Sequence, residues 1–245
     1  MLPEKIIYLY SVQHTGTRFA ASFLKQHSNV CKLLPAHDIA FDNEIFQHPE
    51  RPGKIVFTAH VWGPVGKSPA APYTNDSLNR LFKVPDLEKY YQRFLGPFYT
   101  SPKERKHLVP IRDPLLSLIT GHVRQPERDN SDLIYGFQTL PHLPNSFFIP
   151  VDLTLPVKQR ENLLTDALGH VGLEKENYVK FIADSWPIVG SFPTTETFRL
   201  RICYIQRDTK MLEKTINEYQ LLKKQEPILR PFLENIGYRN LLWWD

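Results

Sequence analysis

The segment from Ile6 to Leu24 restricts the fold more than any other part of this chain. Lys5-Ile6-Ile7-Tyr8-Leu9-Tyr10 is an apolar run that stops at polar residues and glycine. A run of this kind, without polar alternation, suits a strand buried on both faces. After Gly16, the residues Phe19, Ala20, Phe23 and Leu24 recur at helical spacing, so only a short loop separates the strand from a helix. Parallel strands need crossover connections, which lay helices over the faces of the sheet.

The same strand-then-helix rhythm continues downstream. Lys54-Ile55-Val56-Phe57-Thr58-Ala59, closed by His60, reads as a strand, either interior or at a buried edge. His107-Leu108-Val109-Pro110-Ile111 reads as another. Asp113 then supplies an N-cap, Pro114 the first helical position, and Leu115, Leu116, Leu118 and Ile119 the apolar side of the helix. A strand over 146–151 contains Pro150, which pushes it towards a sheet edge. Helices are expected over 86–95, over 158–171 up to Gly172, over 209–224, and over 227–236 with Gly237 as cap, and a strand over 200–205. With 245 residues, 42% of them hydrophobic, the chain can bury one sizeable core. The expectation is an α/β fold: a single domain over 1–245, three-layered, with a mostly parallel central sheet flanked by helices. A proline-rich stretch over about 61–106 reads as a substrate-side excursion from it.

Lysine and arginine exceed aspartate and glutamate by a net charge of +4, which favours small anionic ligands but is too little for a nucleic-acid partner. Cys31 and Cys203 allow at most one bridge, so two free thiols in a reducing compartment are expected. There is no secretory-signal pattern and no run near the roughly 20 apolar residues needed to span a bilayer. The expectation is a cytoplasmic protein without a membrane partner. His14, His37, His60 and His107 lack metal-ligand spacing, so no metal is expected.

Ser11-Val12-Gln13-His14-Thr15-Gly16-Thr17-Arg18-Phe19 occupies the junction between the first strand and the first helix. There the first N–H groups of the helix are unpaired and its dipole is positive, so an oxyanion satisfies both. Gly16 lets the backbone approach such a ligand, and Thr15 and Thr17 add hydroxyl donors. A Walker A loop is excluded because no lysine follows Gly16. The same residues also fit an ordinary tight turn in which Thr15 or Thr17 caps the helix.

A second motif, Arg112-Asp113-Pro114-Leu115-Leu116-Ser117-Leu118-Ile119-Thr120, follows the His107–Ile111 strand. In this order the two motifs resemble the sulfotransferase family, whose fold is of the P-loop NTPase-like kind. The resemblance implies that Gln13, His14, Thr15, Gly16, Thr17 and Arg18 bind the 5′-phosphosulfate of 3′-phosphoadenosine 5′-phosphosulfate. Phe19 then either stacks on the adenine or belongs to the core. Arg112 matches the family's 3′-phosphate arginine, and Thr120 stands at its serine position, with Ser117 as a nearer hydroxyl. A guanidinium fork suits a phosphate. Phe57-Thr58-Ala59-His60 is similar to the family's histidine element, which makes His60 the base that deprotonates the acceptor.

Weaker likenesses, over 148–172 and over 221–238, extend the resemblance to most of the chain. The departures are specific. The family's Pro-Lys-Ser-Gly-Thr-Thr loop has its lysine replaced by His14, so the cation at the bridging oxygen falls to His14 or to Arg18. The family's late Arg-Lys-Gly element has only Arg199, Arg201 and Arg207 as loose substitutes. The implied reaction moves a sulfuryl group to a hydroxyl or amine of a small-molecule or glycan acceptor, leaving adenosine 3′,5′-bisphosphate and needing no metal. Two rivals remain: a non-catalytic nucleotide-binding protein of the same fold, and an atypical nucleotide-dependent phosphotransferase, which the absent Walker lysine disfavours.

Overall fold

Among the described residues five strands form one sheet: β1 (Ile6–Ser11), β2 (Val30–Pro35), β3 (Lys54–His60), β4 (His107–Ile111) and β5 (Ser146–Pro150). The computed structural model describes residues 6–12, 14–35, 53–60, 100–101, 104–124, 130–189, 202–241 and 243–244. The spatial order is β2-β3-β1-β4-β5, and every pairing is parallel. β1 is central and buried along its whole length, as its unbroken apolar run requires. β3 is interior, which resolves the choice between interior and edge, and β5 is at the edge, where its proline is tolerated.

The helices are α1 (Thr17–Lys25), α2 (Pro114–Arg124), α3 (Ser131–Thr139), α4 (Val157–His170), α5 (Tyr178–Val189), α6 (Thr209–Lys224) and α7 (Glu226–Ile236). Alternation along β1 sorts them into two layers. Ile7 and Leu9 face Phe19, Phe23 and Leu24 of α1, Leu164 and Leu168 of α4, and Ile182 and Trp186 of α5. Ile6, Tyr8 and Tyr10 face the opposite layer, built from Leu118 of α2, Leu133 and Phe137 of α3, Leu222 of α6, and Leu229 and Leu233 of α7. Each fully buried side chain of this size contributes about 2 kcal/mol from the area removed from water. The expected α/β architecture is therefore present, with a sheet that is parallel throughout.

Three parts of the expected outline change. β2, α3 and α5 are elements that the hydrophobic pattern did not announce. The strand expected over 200–205 is instead helical over 202–206, with Ile205 buried against Ile119 and Met211. The helix expected over 86–95, and most of the proline-rich stretch over 61–106, lie outside the described residues. No helix among the described residues is long and apolar enough to cross a membrane.

The pairing of β4 opens a gap in the sheet at one end. His107 N donates to Asn145 O at 3.0 Å and Ile111 O accepts from Val151 N at 2.9 Å, so these two residues turn their peptide groups towards β5. Alternation then turns those of Leu108 and Pro110 towards β1. Proline has no N–H to donate, and the register between β1 and β4 ends at Leu9 with Leu108, although β4 follows β5 as far as Ile111 with Pro150. The carboxyl ends of β1 and β4 are thus not laddered together.

Candidate functional site

Those two strand ends mark the place where the chain order reverses, since β1 leads away towards β2 on one side and β3 crosses back over β1 to reach β4. In open parallel sheets the crevice at the carboxyl side of such a switch point is where ligands bind. The loop after β1 and the turn after β4 therefore face the same crevice.

The loop is tied to itself. Ser11 Oγ lies 2.5 Å from Thr17 Oγ1, joining its two ends, and Thr15 Oγ1 donates to Val12 O at 2.6 Å. Neither threonine is the N-cap: α1 starts after Gly16, which has no side chain to cap it. The N–H groups that open α1 are thus not met by a side chain of the N-cap residue. Gly16 has φ +102°, and a Cβ there would stand 2.9 Å from Val151 Cγ2. Glycine is needed at this position for conformation and for space alike. His14 also has a left-handed backbone, φ 67°, which is uncommon for a non-glycine residue and marks a constrained turn.

Arg112 is 4% exposed, and its Nη1 donates to His14 O at 3.5 Å and to Thr120 Oγ1 at 3.3 Å. One guanidinium thus spans the loop and α2. Thr120 donates in turn to Leu116 O at 2.8 Å, which orients its oxygen towards the arginine. Ser117 instead gives its hydroxyl to Asp113 O at 3.2 Å, one turn back in its own helix. Of the two candidate hydroxyls, Thr120 is the one that meets Arg112.

The structure brings further residues here that the sequence did not single out. Asp113 caps α2 as expected, Oδ1 accepting from Leu115 N at 2.8 Å, and the same oxygen accepts from Trp243 Nε1 at 3.0 Å. Asp113 N donates to Asp152 Oδ2 at 3.0 Å. Tyr238 Oη lies on Asp152 Oδ1 and, at 3.1 Å, on Ile111 O. Burial first, and the neighbouring Asp152 second, push the Asp113 carboxyl up to about 6. Burial also raises Asp152, against hydrogen bonds from Tyr238 and the Asp113 amide and the charge of Arg112. Tyr238 stays a neutral phenol, its acidity suppressed by burial and by Asp152. The acid after the β5 strand and the aromatic residues near the end of the chain were visible signals, but nothing in the sequence said that they meet.

The remaining site candidates divide. Phe19 is 3% exposed with its ring 4.7 Å from that of Trp186, whose Nε1 donates to Val151 O at 2.8 Å, so Phe19 is packed in the core. Arg18 is exposed on the first turn of α1. The backbone of His60 ends β3 in register with Ser11, the residue that opens the loop. Gln13 lies outside the described residues.

No protein-family model matches the sequence, and no curated protein matches it. Among solved structures, the chain is similar to mouse sulfotransferase SULT7A1 complexed with PAP, at 12% identity and a TM-score of 0.43, over 94% of this chain and 89% of that one.

Proposed function

We propose that the chain is a sulfotransferase that moves a sulfuryl group from 3′-phosphoadenosine 5′-phosphosulfate to a hydroxyl or amine of a small-molecule or glycan acceptor. The observation that carries this reading is the buried Arg112 guanidinium, bridging the loop carbonyl of His14 and the Thr120 hydroxyl beside a helix end that has no side-chain cap. Two anion-binding devices meet at one crevice, and a donor with phosphate groups at both ends of its ribose uses both. The N–H groups opening α1 suit the 5′-phosphosulfate, and Arg112 with Thr120 suits the 3′-phosphate.

In the reaction the acceptor oxygen or nitrogen forms a bond to sulfur while the bond from sulfur to the bridging phosphate oxygen breaks. The electron pair leaves with the phosphate. His60, at the end of β3, takes the acceptor proton. The amides of α1, with His14 or Arg18, stabilise the charge on the leaving oxygen, so the protein's contribution is mainly positioning and electrostatics. Acceptors dock on the side of the stretch over 61–99.

One sequence observation favours a second reading, a binding protein without turnover: the loop has His14 where the resembling family has lysine. Release of adenosine 3′,5′-bisphosphate from the donor, followed over an acceptor panel with the wild type and His60→Ala, separates the two. Turnover that falls at least about 100-fold in His60→Ala with unchanged bisphosphate affinity supports the enzyme and its base. Bisphosphate binding with no turnover on any acceptor supports the binder, and equal turnover in both proteins removes His60 from the mechanism.

A further inference from the structure

Arg112 stands between two peptide groups that are both fastened to the turn after β5. Ile111 O, in the group before it, accepts from Val151 N at 2.9 Å, and Asp113 N, in the group after it, donates to Asp152 Oδ2 at 3.0 Å. Two consecutive residues thus hold the backbone on either side of the Arg112 Cα, which fixes where its side chain starts. The same turn also meets the loop after β1. The Val151 side chain fills the space beside Gly16, where an added Cβ would stand 2.9 Å from Val151 Cγ2. The turn is itself anchored from both helical layers. Val151 O accepts from Trp186 Nε1 of α5 at 2.8 Å, and the Trp186 ring packs on Phe19 in the first turn of α1. Tyr238, just after α7, donates to Asp152 Oδ1. Val151, Trp186 and Tyr238 are all buried, and close-packed groups of this kind transmit a displacement rather than absorb it.

We propose that the Val151–Asp152 turn is the spacer of the crevice: it sets the separation between the helix end that opens α1 and the Arg112 guanidinium, and so selects ligands whose two phosphates lie at one fixed spacing. Asp152 is a positioning residue, acting on the ligand through the Asp113 amide and Arg112. Its charge works in the opposite sense, because a carboxylate near the crevice repels an anion. What favours binding is the acceptor oxygen facing Asp113 N. The ligand class is a ribonucleotide carrying one phosphate on the 5′ oxygen and one on the 3′ oxygen, and the 2′ isomer puts the second phosphate elsewhere on the same ring. The inference rests on the two anion-binding devices of the preceding reading and not on sulfuryl transfer.

Calorimetric titration of the wild type, Asp152→Asn and Asp152→Ala with adenosine 3′,5′-bisphosphate, adenosine 2′,5′-bisphosphate and AMP tests it. The two variants lack the same charge, so the difference between them isolates the acceptor. In Asp152→Asn the amide oxygen accepts from Asp113 N and the amide nitrogen donates to Tyr238 Oη, whose proton turns to Ile111 O, 3.1 Å away. The wild type is expected to bind the 3′,5′-bisphosphate at least about tenfold more tightly than either other ligand, the worth of a well-placed charge-assisted hydrogen bond. Asp152→Asn should keep that preference within about threefold, and Asp152→Ala should lose about tenfold of it, with AMP binding unchanged in both. If the wild type shows the preference and Asp152→Ala keeps it, the two anion-binding devices stand and the spacer is overturned. A purely structural role lowers the melting temperature and weakens all three ligands alike, which overturns it as well. If the wild type binds AMP as tightly as the 3′,5′-bisphosphate, the reading with two devices fails and the spacer falls with it. Should Asp152→Ala not fold, Tyr238→Phe decides: the preference should shrink by about 3- to 10-fold as Asp152 loses its anchor, and an unchanged preference overturns the proposal.

Discussion

Arg112 Nη1 lies 3.3 Å from Thr120 Oγ1, eight residues further along the chain, so the turn after β4 and the second turn of α2 present one arginine and one hydroxyl together. The spacing is a helical one: Pro114 starts the helix, and Thr120 comes round to the side from which Arg112 left the strand. This makes the pair a unit, and its energetics can be measured as one.

Arg112→Lys keeps the charge but loses the fork, and Thr120→Val keeps the shape but loses the acceptor. Each is expected to weaken adenosine 3′,5′-bisphosphate binding, Arg112→Lys by about 10- to 100-fold. Because the two touch, the double variant should lose less than the sum, with a coupling of about 1 kcal/mol in a double-mutant cycle by calorimetry. Strict additivity would show that they act apart.

Gly16→Ala should cost about 1–3 kcal/mol in urea unfolding, since it places a Cβ 2.9 Å from Val151 Cγ2 and demands φ +102° of alanine. Adding Val151→Ala relieves the contact and not the backbone, so only part of the loss should return. Full recovery would assign the whole cost to sterics.

Stability should also report the buried carboxyls. The folded-state proton affinity of Asp113 is raised, from the ordinary 3.8 to about 6. The folded protein therefore binds more protons than the unfolded chain between those values. The stabilisation this gives is fully present below about pH 4 and is lost as pH rises through about 6, by at most about 3 kcal/mol. Asp152→Asn removes the like charge, so its unfolding free energy relative to the wild type should improve from pH 4 to pH 8. A difference that stays flat across this range would contradict the assignment.

His122, fully buried on α2, places Nε2 2.6 Å from Glu218 Oε2 on α6, and Glu218 Oε1 accepts from Asn130 N at 3.1 Å. This pair ties the helix that carries Thr120 to α6. Glu218→Ala should destabilise by about 3–5 kcal/mol in denaturant unfolding, because it strips a partner from buried polar groups, whereas replacing both by apolar residues should cost much less.

The central strand and the loop after it were legible because their residues obey local rules: six buried positions in β1, a glycine between strand and helix, and Asp113 with Pro114 at a helix start. β2 was not, since Val-Cys-Lys-Leu-Leu-Pro shows neither alternation nor a long apolar run. Over 202–206 the residues Ile-Cys-Tyr-Ile-Gln have strand propensity, but Ile205 is buried against Ile119 and Met211, and tertiary packing prevails over propensity. The pairing of Asp113 with Trp243 and of Asp152 with Tyr238 was illegible for a different reason. Each joins residues more than eighty positions apart, and nothing local encodes such a meeting.

The most direct test of a crevice built for a nucleotide with phosphates at both ends is the thermal stability of the wild type with adenosine 3′,5′-bisphosphate and with ATP, each also measured on Arg112→Ala. Binding to the folded state alone raises the melting temperature, so the bisphosphate should stabilise the wild type at concentrations where ATP does not, and Arg112→Ala should lose that shift. Stabilisation by ATP without any by the bisphosphate, or a bisphosphate shift that Arg112→Ala leaves intact, would contradict it.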